Sequence, residues 1–272
     1  FRYPGGKSRA RRIIYDYIPP ISSIVSPFFG GGSVEIGLAA TGVKVTAFDI
    51  DLMLTCCWHY LLSNPALLHR EILKLHPMSK AQFAALQAAL ETMPHSVEKA
   101  AAYYAINRAS FSGATCSGGM SRGHPRFTAT SIQAVAAFKA PSLIVTNADF
   151  RTSIPANSTD FMYLDPPYWL PDAKCRLYGV NGSNHKQFDH KALFALLQNR
   201  SQWLMSYNND RRITRLYRGF PIVQVSWAYG MSANKRSSEI LIGSRDLAGH
   251  MQRVARRKGD LYIPPRSFSA RP

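Results

Sequence analysis

The sequence predicts an α/β fold, in which a doubly wound and mostly parallel sheet carries a mainly helical insert. Residues 21–48 show the order strand, glycine-rich turn, helix and strand, which opens a nucleotide-binding sheet. Residues 52–111 are helical in character, and strand-like patterns return from residue 143. The predicted division of the chain is a sheet domain of residues 1–51 and 141–247, an inserted domain of residues 52–140 and a basic C-terminal tail of residues 248–272.

The first unit of the sheet follows from its residue types. Residues 21–26 are apolar enough for a short buried strand, which Pro27 ends. Residues 33–40 predict a helix with Gly42 placed to end it. Residues 43–48 alternate between apolar and polar and predict the second strand.

The insert carries its own helix-start signals. Ser79 and Gln82 form a capping box before an Ala/Leu run, and Ser96 suits the N-cap of a further helix. Residues 112–126 are rich in Gly, Ser and Arg, which is typical of a loop or hairpin.

The rest of the sheet is predicted from later apolar runs. Strands are expected at residues 143–146, 161–164 and 203–207, a helix at 189–198, and a closing antiparallel pair at 222–227 and 239–242. After Asp246 the chain is basic and ends in Pro, Arg and Ser, so we expect much of it to be mobile.

Composition favours a nucleic-acid partner. The 33 Lys and Arg residues against 16 Asp and Glu give a net charge of +17, which attracts a polyanion. The alternative is a basic protein without a nucleic-acid role. Hydrophobic residues make up 46% of the chain, as in ordinary globular proteins, so a disordered chain is excluded.

The cysteines indicate free thiols rather than a metal site. Their spacing contains no C-x-x-C pair and no accompanying His cluster, so we expect no metal. Free thiols fit a reducing compartment, and we expect a cytoplasmic, DNA-associated protein. No apolar run approaches membrane-spanning length, and the N-terminal residues lack the apolar stretch of a signal peptide. The four cysteines are Cys56, Cys57, Cys116 and Cys175.

The glycine-rich turn of residues 28–32 is the first chemical signal. Glycines there let the backbone turn sharply and approach a ligand closely, although such a turn also occurs without a ligand. Asp49 ends the next strand and is placed to accept hydrogen bonds from ribose hydroxyls. Alternatively, Asp49 or Asp51 caps the following helix, and the two acids can divide these roles.

The tetrapeptide of residues 165–168 is the decisive signal. Two prolines hold the chain rigid directly after an apolar strand, at the edge where open α/β sheets bind ligands. The Asp165 carboxylate and the Pro166 carbonyl can then accept both hydrogens of one amino group, and Tyr168 can stack on a planar ring. A rigid turn without chemistry is the alternative.

These segments resemble the motifs of a known family, the Dam-like (alpha-group, D12 class) adenine-specific DNA methyltransferases. The resemblance extends from Phe1 to about Gly243, and its motifs stand in the alpha-group order of cofactor loop, recognition insert and catalytic tetrapeptide. The matching segments are residues 3–7 (N-terminal cofactor motif), 27–32 (glycine loop), 107–113 (recognition region), 148–150 (beside the cofactor adenine), 165–168 (catalytic motif), and 206–209 and 239–242 (late strands).

The resemblance implies both a fold and an activity. The fold would be a Rossmann-like, S-adenosylmethionine-dependent methyltransferase sheet with an antiparallel last strand, and the helical insert would be a target-recognition domain. The activity would be site-specific methylation of adenine N6 in double-stranded DNA, on a base flipped out of the duplex. We expect direct in-line transfer from S-adenosylmethionine without a covalent enzyme intermediate.

The resemblance also implies site residues. Catalysis would depend on Asp165, Pro166, Pro167 and Tyr168. The cofactor would contact Tyr3, Lys7, Phe28, Gly30, Gly32, Asp49, Asp149, Phe150 and Asp165. The chain departs from the family at Ser26, where Glu often precedes the Pro-Phe pair, so one acidic contact near the cofactor lacks its usual residue. It departs again at Ser112, where Asn usually follows Phe111.

Clustered basic residues predict the contacts to DNA. The candidates are Arg9, Arg108, Arg122, Arg126, Lys235 and Arg236. Arg122 and Arg126 are the expected base readers because they lie in the Gly/Ser-rich segment, and a solvated loop is the alternative. The cluster of residues 253–258 is more typical of a solvated tail.

Two main alternatives compete with this function, the first with the same chemistry on another substrate and the second of another class. Transfer to N4 of cytosine, or to adenine in RNA, needs nearly the same acceptors. A non-catalytic DNA-binding protein with a methyltransferase fold is the second alternative, against which the intact tetrapeptide argues. A dinucleotide-dependent oxidoreductase fits less well, because the glycine spacing differs from that fingerprint.

Overall fold

The computed structural model describes residues 6–121, 126–169, 188–228 and 236–266. Within these ranges, eight strands form one sheet and eleven α-helices surround it. The strands are β1 (Ser23–Ser26), β2 (Lys44–Asp49), β3 (Leu143–Asn147), β4 (Met162–Leu164), β5 (Trp203–Asn208), β6 (Ile222–Ala228), β7 (Arg236–Gly243) and β8 (Leu261–Ile263). The helices are α1 (Arg11–Tyr17), α2 (Glu35–Ala39), α3 (Leu52–Ser63), α4 (Pro65–Leu73), α5 (Lys80–Ala89), α6 (Val97–Ala109), α7 (Ala129–Ala136), α8 (Phe150–Ala156), α9 (His190–Leu197), α10 (Arg211–Leu216) and α11 (Ala248–Lys258).

The strand order is β3-β2-β1-β4-β5-β7-β6-β8. The first five strands pair in parallel, whereas β7 runs antiparallel to both of its neighbours and β8 runs antiparallel to β6. The predicted α/β sheet is therefore confirmed, together with its closing antiparallel pair. The strand progression reverses between β1 and β4, and this reversal creates the switch point at which open α/β sheets bind ligands.

Helix caps read from the sequence are present in the structure. Ser79 and Gln82 form the reciprocal capping box of α5, and Ser96 accepts a hydrogen bond from the Lys99 amide at the start of α6. Asp189 caps α9 by accepting from two backbone amides. Each cap satisfies amides that would otherwise lack partners at a helix start, which explains why these helices begin where they do.

The helices between β2 and β3 pack directly on the sheet. One buried hydrophobic cluster runs from the inner residues of β1 and β2 into α3, α4 and α6. Trp58 of α3 is buried and its ring lies 4.9 Å from that of Phe29, in the turn after β1. The first helix of the insert thus supports the sheet edge directly, and the division of the chain at residues 52 and 140 stays a prediction.

The expectation of a mobile C-terminal tail is wrong for residues 248–263. They form α11 and β8, and β8 pairs with β6. Met251, Val254 and Ala255 lie buried on one face of α11, while its Arg and Lys side chains lie on the other. The helical spacing of these three buried residues is a sequence signal for α11, which the high charge of the segment obscured.

Candidate active site

The candidate active site lies where the carboxyl ends of β1 and β4 meet. These strands are adjacent and parallel, and the Val25 amide donates a 2.8 Å hydrogen bond to the Phe161 carbonyl. The glycine-rich turn of residues 28–32 follows β1, and the tetrapeptide of residues 165–168 follows β4. The topology therefore brings both motifs to the switch point of the sheet.

Two glycines give the turn its shape. Gly30 has φ +50° and Gly32 has φ +64°, and a Cβ added to Gly32 would lie 2.6 Å from Cζ of Phe29. The Gly30 amide donates to Oδ2 of Asp49 at 2.7 Å, and the Gly30 carbonyl accepts from Nε1 of Trp58 at 3.2 Å. Strand β2 and helix α3 thus hold the turn from two sides, in a backbone conformation that favours glycine.

Two acids at the end of β2 have different positions in the structure. Asp51 is the N-cap of α3 and accepts from the amides of Met53 and Leu54. Asp49 is buried, and besides Gly30 its carboxyl accepts from the Asp51 amide at 3.0 Å. Burial and the neighbouring Asp51 raise the pKa of Asp49 to about 7. Its role toward a ribose stays a prediction.

The Asp165 carboxylate is held by two side chains from other parts of the chain. Nζ of Lys7 lies 2.7 Å from Oδ1 and 2.8 Å from Oδ2, and the Ser206 hydroxyl donates to Oδ1 at 2.9 Å. Lys7 is 3% exposed and Asp165 is 23% exposed, so the lysine is covered while the carboxylate reaches the surface of the site. Ser206 is itself fixed by a 2.8 Å hydrogen bond with the Tyr163 hydroxyl.

The Tyr168 ring is fixed by contacts from β5, β7 and the N-terminal segment. Its hydroxyl donates to Oε2 of Glu239 at 2.9 Å, and its ring centroid lies 4.9 Å from that of Tyr207. Nζ of Lys7 lies 4.8 Å from the ring centroid of Tyr168. The Tyr207 hydroxyl also donates to the Pro167 carbonyl at 3.1 Å, which anchors the tetrapeptide.

Aromatic rings form a second wall beside the glycine turn. The centroids of Phe28 and Phe150 lie 5.5 Å apart, and Phe188 lies within 5.6 Å of both. Asp149 caps α8 by accepting from the Arg151 amide at 2.7 Å and pairs with the Arg151 side chain. The structure thus groups Phe28 with Phe150, while the expected contacts of Asp149 and Phe150 with the cofactor stay predictions.

Three residues of the site were not predicted. Ser206, Glu239 and Glu35 are all buried polar residues that hydrogen-bond within or beside the motifs. Ser206 and Glu239 are polar residues within apolar strands, and a polar residue at a buried strand position is a signal that could have found them. Glu35 begins α2 directly behind the glycine turn, where an acid also reads as an ordinary helix-start residue.

The predicted DNA contacts are spread over several elements. Arg9 and Arg126 are exposed, whereas Arg108 is partly buried and its Nε donates to the Arg126 carbonyl at 2.8 Å. Phe111, in the same segment, is 70% exposed. Arg236 begins β7. Tyr3, Arg122 and Lys235 lie outside the described residues.

Two kinds of feature are absent from the described ranges. No group of three or more His, Cys, Asp or Glu side chains there is arranged to hold a metal ion. No helix in those ranges has the length and apolar character needed to cross a membrane.

The chain was compared with known proteins. No curated protein matches it. Among solved structures, an rRNA methylase from Streptococcus thermophilus matches with 7% sequence identity and a TM-score of 0.34, over 86% of this chain and 93% of that chain. A family model described as D12 class N6 adenine-specific DNA methyltransferase matches residues 3–231, a span that includes the glycine turn, the insert and the tetrapeptide. The protein therefore belongs to the family of D12 class N6 adenine-specific DNA methyltransferases.

Proposed function

We propose that this adenine-specific DNA methyltransferase transfers a methyl group from S-adenosylmethionine directly to N6 of an adenine flipped out of duplex DNA. The observation that carries the proposal is the position of Asp165. Its carboxylate lies at the tip of β4, beside the strand that leads into the glycine turn, and Lys7 and Ser206 fix its orientation. An acceptor fixed at the switch point is what amino-group methylation requires.

The residues at this edge fit a nucleoside cofactor. The turn has no room for a side chain at Gly32, because a Cβ there would collide with the Phe29 ring, so it presents backbone at this position. Asp49 is suited to the ribose hydroxyls, and the Phe28 and Phe150 rings to the adenine. We further propose contacts from Tyr3, Lys7 and Asp149. When bound, S-adenosylmethionine supplies a methyl group on a positively charged sulfur.

Asp165 and Pro166 would activate the adenine amino group. Its nitrogen is a poor nucleophile, because its lone pair is delocalised into the ring. Accepting both of its hydrogens favours a tetrahedral nitrogen and stabilises the positive charge that develops on it. Oδ1 of Asp165 already accepts from Lys7 and Ser206, whereas Oδ2 accepts from Lys7 and keeps a second lone pair for the substrate.

Tyr168 would hold the flipped base. A duplex adenine is out of reach of a buried strand tip, so the base has to rotate out of the stack and be held by a ring. Tyr207 and Glu239 fix the Tyr168 ring before the base arrives. A preorganised ring loses little conformational freedom when the base binds, which favours the extruded state.

Basic and aromatic residues support binding of double-stranded DNA, and we propose that the protein acts on DNA in the cytoplasm. The net charge of +17 attracts the duplex, and the exposed Arg9 and Arg126 can contact phosphates or base edges. We propose the same for Arg108, Arg122, Lys235 and Arg236. The exposed Phe111 is suited to stack against bases next to the extruded adenine.

Asp165→Ala tests the proposal. We expect loss of methyl transfer with the fold and DNA binding retained at a lower stability, because the change removes the acceptor and also the ion-pair partner of the buried Lys7. Asp160→Ala is a matched control, since Asp160 precedes the same strand at its other end. The assay is methylation of plasmid DNA followed by single-molecule sequencing for modified bases. Full activity of the Asp165 variant, or modification of cytosine N4 instead of adenine N6, would contradict the proposal.

A further inference from the structure

Behind the glycine turn lies a buried carboxyl group that the proposed mechanism does not use. The Ser26 hydroxyl donates a 2.7 Å hydrogen bond to Oε1 of Glu35, the first residue of α2. Ser26 is fully buried and Glu35 is 2% exposed. Ser26 occupies the position where the family often has Glu. In this chain an acidic side chain, that of Glu35, reaches position 26 from nine residues further along the chain.

Glu35 lies close enough to Asp165 for the two carboxyl groups to interact electrostatically. Burial is the main cause that raises the pKa of Glu35 to about 7, and the charge of Asp165 adds to the shift. The Tyr15 hydroxyl also faces this region, and it donates to the Val34 carbonyl at 2.8 Å. Lys7 has its ion pair with Asp165. Burial outweighs the hydrogen bond from Ser26, so the net effect of the described surroundings is to disfavour the negative charge of Glu35.

A hydrogen bond to Ser26 does not by itself require an acid at position 35. A glutamine could accept the same hydrogen bond without the cost of burying a charge. A buried carboxyl beside a binding site gains when a positive charge enters that site, because the attraction is strong where water is excluded. The methionine end of S-adenosylmethionine carries two such charges, on its sulfonium and on its ammonium group.

We propose that Glu35 supplies the acidic charge for the cationic methionine end of the cofactor. Its carboxyl group, which reaches the Ser26 hydroxyl, takes the role of the glutamate that the family often has at position 26. The inference rests on the proposed use of S-adenosylmethionine. It assigns to this chain a relocated acidic contact: the charge comes from α2 rather than from the end of β1.

Binding measurements with three ligands test this assignment without relying on turnover. Calorimetry would compare Glu35→Gln with the unchanged protein for S-adenosylmethionine, S-adenosylhomocysteine and methylthioadenosine. The second ligand lacks the sulfonium charge, and the third lacks both positive charges. We expect Glu35→Gln to weaken the binding of S-adenosylmethionine by about tenfold or more, an effect of about 1.4 kcal/mol. The affinity for methylthioadenosine should stay unchanged.

The comparison also identifies the charge that Glu35 serves. A loss confined to S-adenosylmethionine assigns Glu35 to the sulfonium, and an equal loss for S-adenosylhomocysteine assigns it to the ammonium. Unchanged binding of both ligands overturns the inference. So does an equal loss for methylthioadenosine, because that would mean damage to the nucleoside site. If the unchanged protein binds no S-adenosylmethionine, it is the proposed function that fails.

A relocation variant makes the test independent of damage to the fold. Ser26→Glu combined with Glu35→Ala moves the carboxyl to the family position, and the smaller residue at 35 makes room for it. We expect this double variant to recover most of the S-adenosylmethionine affinity that Glu35→Gln loses. A well-folded double variant, checked by its thermal unfolding, that still binds as weakly as Glu35→Gln would overturn the relocation.

Discussion

At the residue scale, the site combines carboxyl groups in contrasting environments. Asp165 is partly exposed and paired with Lys7, whereas Asp49 and Glu35 are buried and have pKa values raised to about 7. The buried acids are therefore neutral in a larger fraction of molecules than surface carboxyls are. Entry of a cationic ligand would favour their charged forms.

Burial of Asp49 predicts a pH-dependent stability. Its pKa is raised above its ordinary value of 3.8, so its contribution to stability is complete below pH 4 and is lost as the pH rises toward 7. Compared with Asp49→Asn, whose side chain cannot ionise, the unchanged protein should lose on the order of 2–4 kcal/mol between pH 4 and 8. Urea denaturation at several pH values, without cofactor, measures the difference. Parallel pH profiles for the two proteins would show that Asp49 is not desolvated.

The contacts of Tyr168 predict that its ring matters more than its hydroxyl. Tyr168→Phe loses the hydrogen bond to Glu239 and keeps the stacking face, so turnover should fall by about tenfold or less. Tyr168→Ala loses the ring and should lower turnover by about a hundredfold or more. Fluorescence of 2-aminopurine at the target position would report base extrusion in both variants. Equal defects would assign the main role to the hydroxyl.

These long-range contacts also mark the limit of what the sequence can predict at this scale. The tetrapeptide and the glycine turn were recognisable because their residues are contiguous and each follows a strand. Lys7 and Asp165 are 158 positions apart, and Tyr168 and Glu239 are 71 positions apart. Such pairs depend on which strands become neighbours, and the local pattern around each residue does not contain that information.

At the element scale, helices outside the sheet determine the shape of the site. The α3 helix supports the glycine turn through Trp58, and its start is fixed by Asp51. Capping boxes and apolar periodicity predicted α5, α6 and α9 because these signals are local. The short helices α1, α8 and α10, of six or seven residues, were missed because a segment of that length is too short to show a clear helical periodicity.

The packing of α11 predicts that the C-terminal segment contributes to stability. Met251 is fully buried, and its Sδ packs so close to Gly243 that a Cβ on that glycine would collide with it. Met251→Ala should lower the free energy of unfolding by about 2–4 kcal/mol, because it removes core contacts and leaves a cavity. Arg253→Ala, on the exposed face of the same helix, is the control and should change stability by less than about 0.5 kcal/mol. Urea denaturation compares them, and equal stability of the two variants would mean that α11 does not hold its packed position.

At the scale of the whole molecule, fold and charge act together. The fold class was predictable because each sheet unit has its own local pattern, and the motifs stand in a recognisable order. The position of the basic residues on the surface was less predictable, since it depends on which end of the sheet each helix and loop lies at. β7 runs antiparallel to β5 and ends at Gly243, opposite the start of β5. The α11 helix follows β7, so it begins at the end of the sheet opposite to the carboxyl ends of β1 and β4.

This arrangement predicts that basic residues differ in their effect on DNA binding. Arg9→Gln should reduce the slope of log affinity against log salt by about one, because one phosphate contact is lost. Arg126→Gln should change the preferred sequence if Arg126 reads a base. The double change of Arg256 and Arg257 to Gln, on α11, is matched in charge type and should leave the slope unchanged. Filter binding at several salt concentrations would test the Arg9 and α11 variants, and single-molecule sequencing of methylated plasmid DNA would test the sequence preference of Arg126→Gln. A slope change for the α11 variant would contradict the predicted orientation.

The contact between Trp58 and the glycine turn has a practical consequence. The indole nitrogen of Trp58 donates to the Gly30 carbonyl, so the fluorophore touches the turn against which we propose that the nucleoside binds. Trp169, directly after the tetrapeptide, stacks on His190 with ring centroids 4.6 Å apart. The protein thus carries intrinsic optical reporters beside both of its site motifs, the glycine turn and the tetrapeptide. Titrations followed by tryptophan emission can therefore monitor ligand entry without any added label.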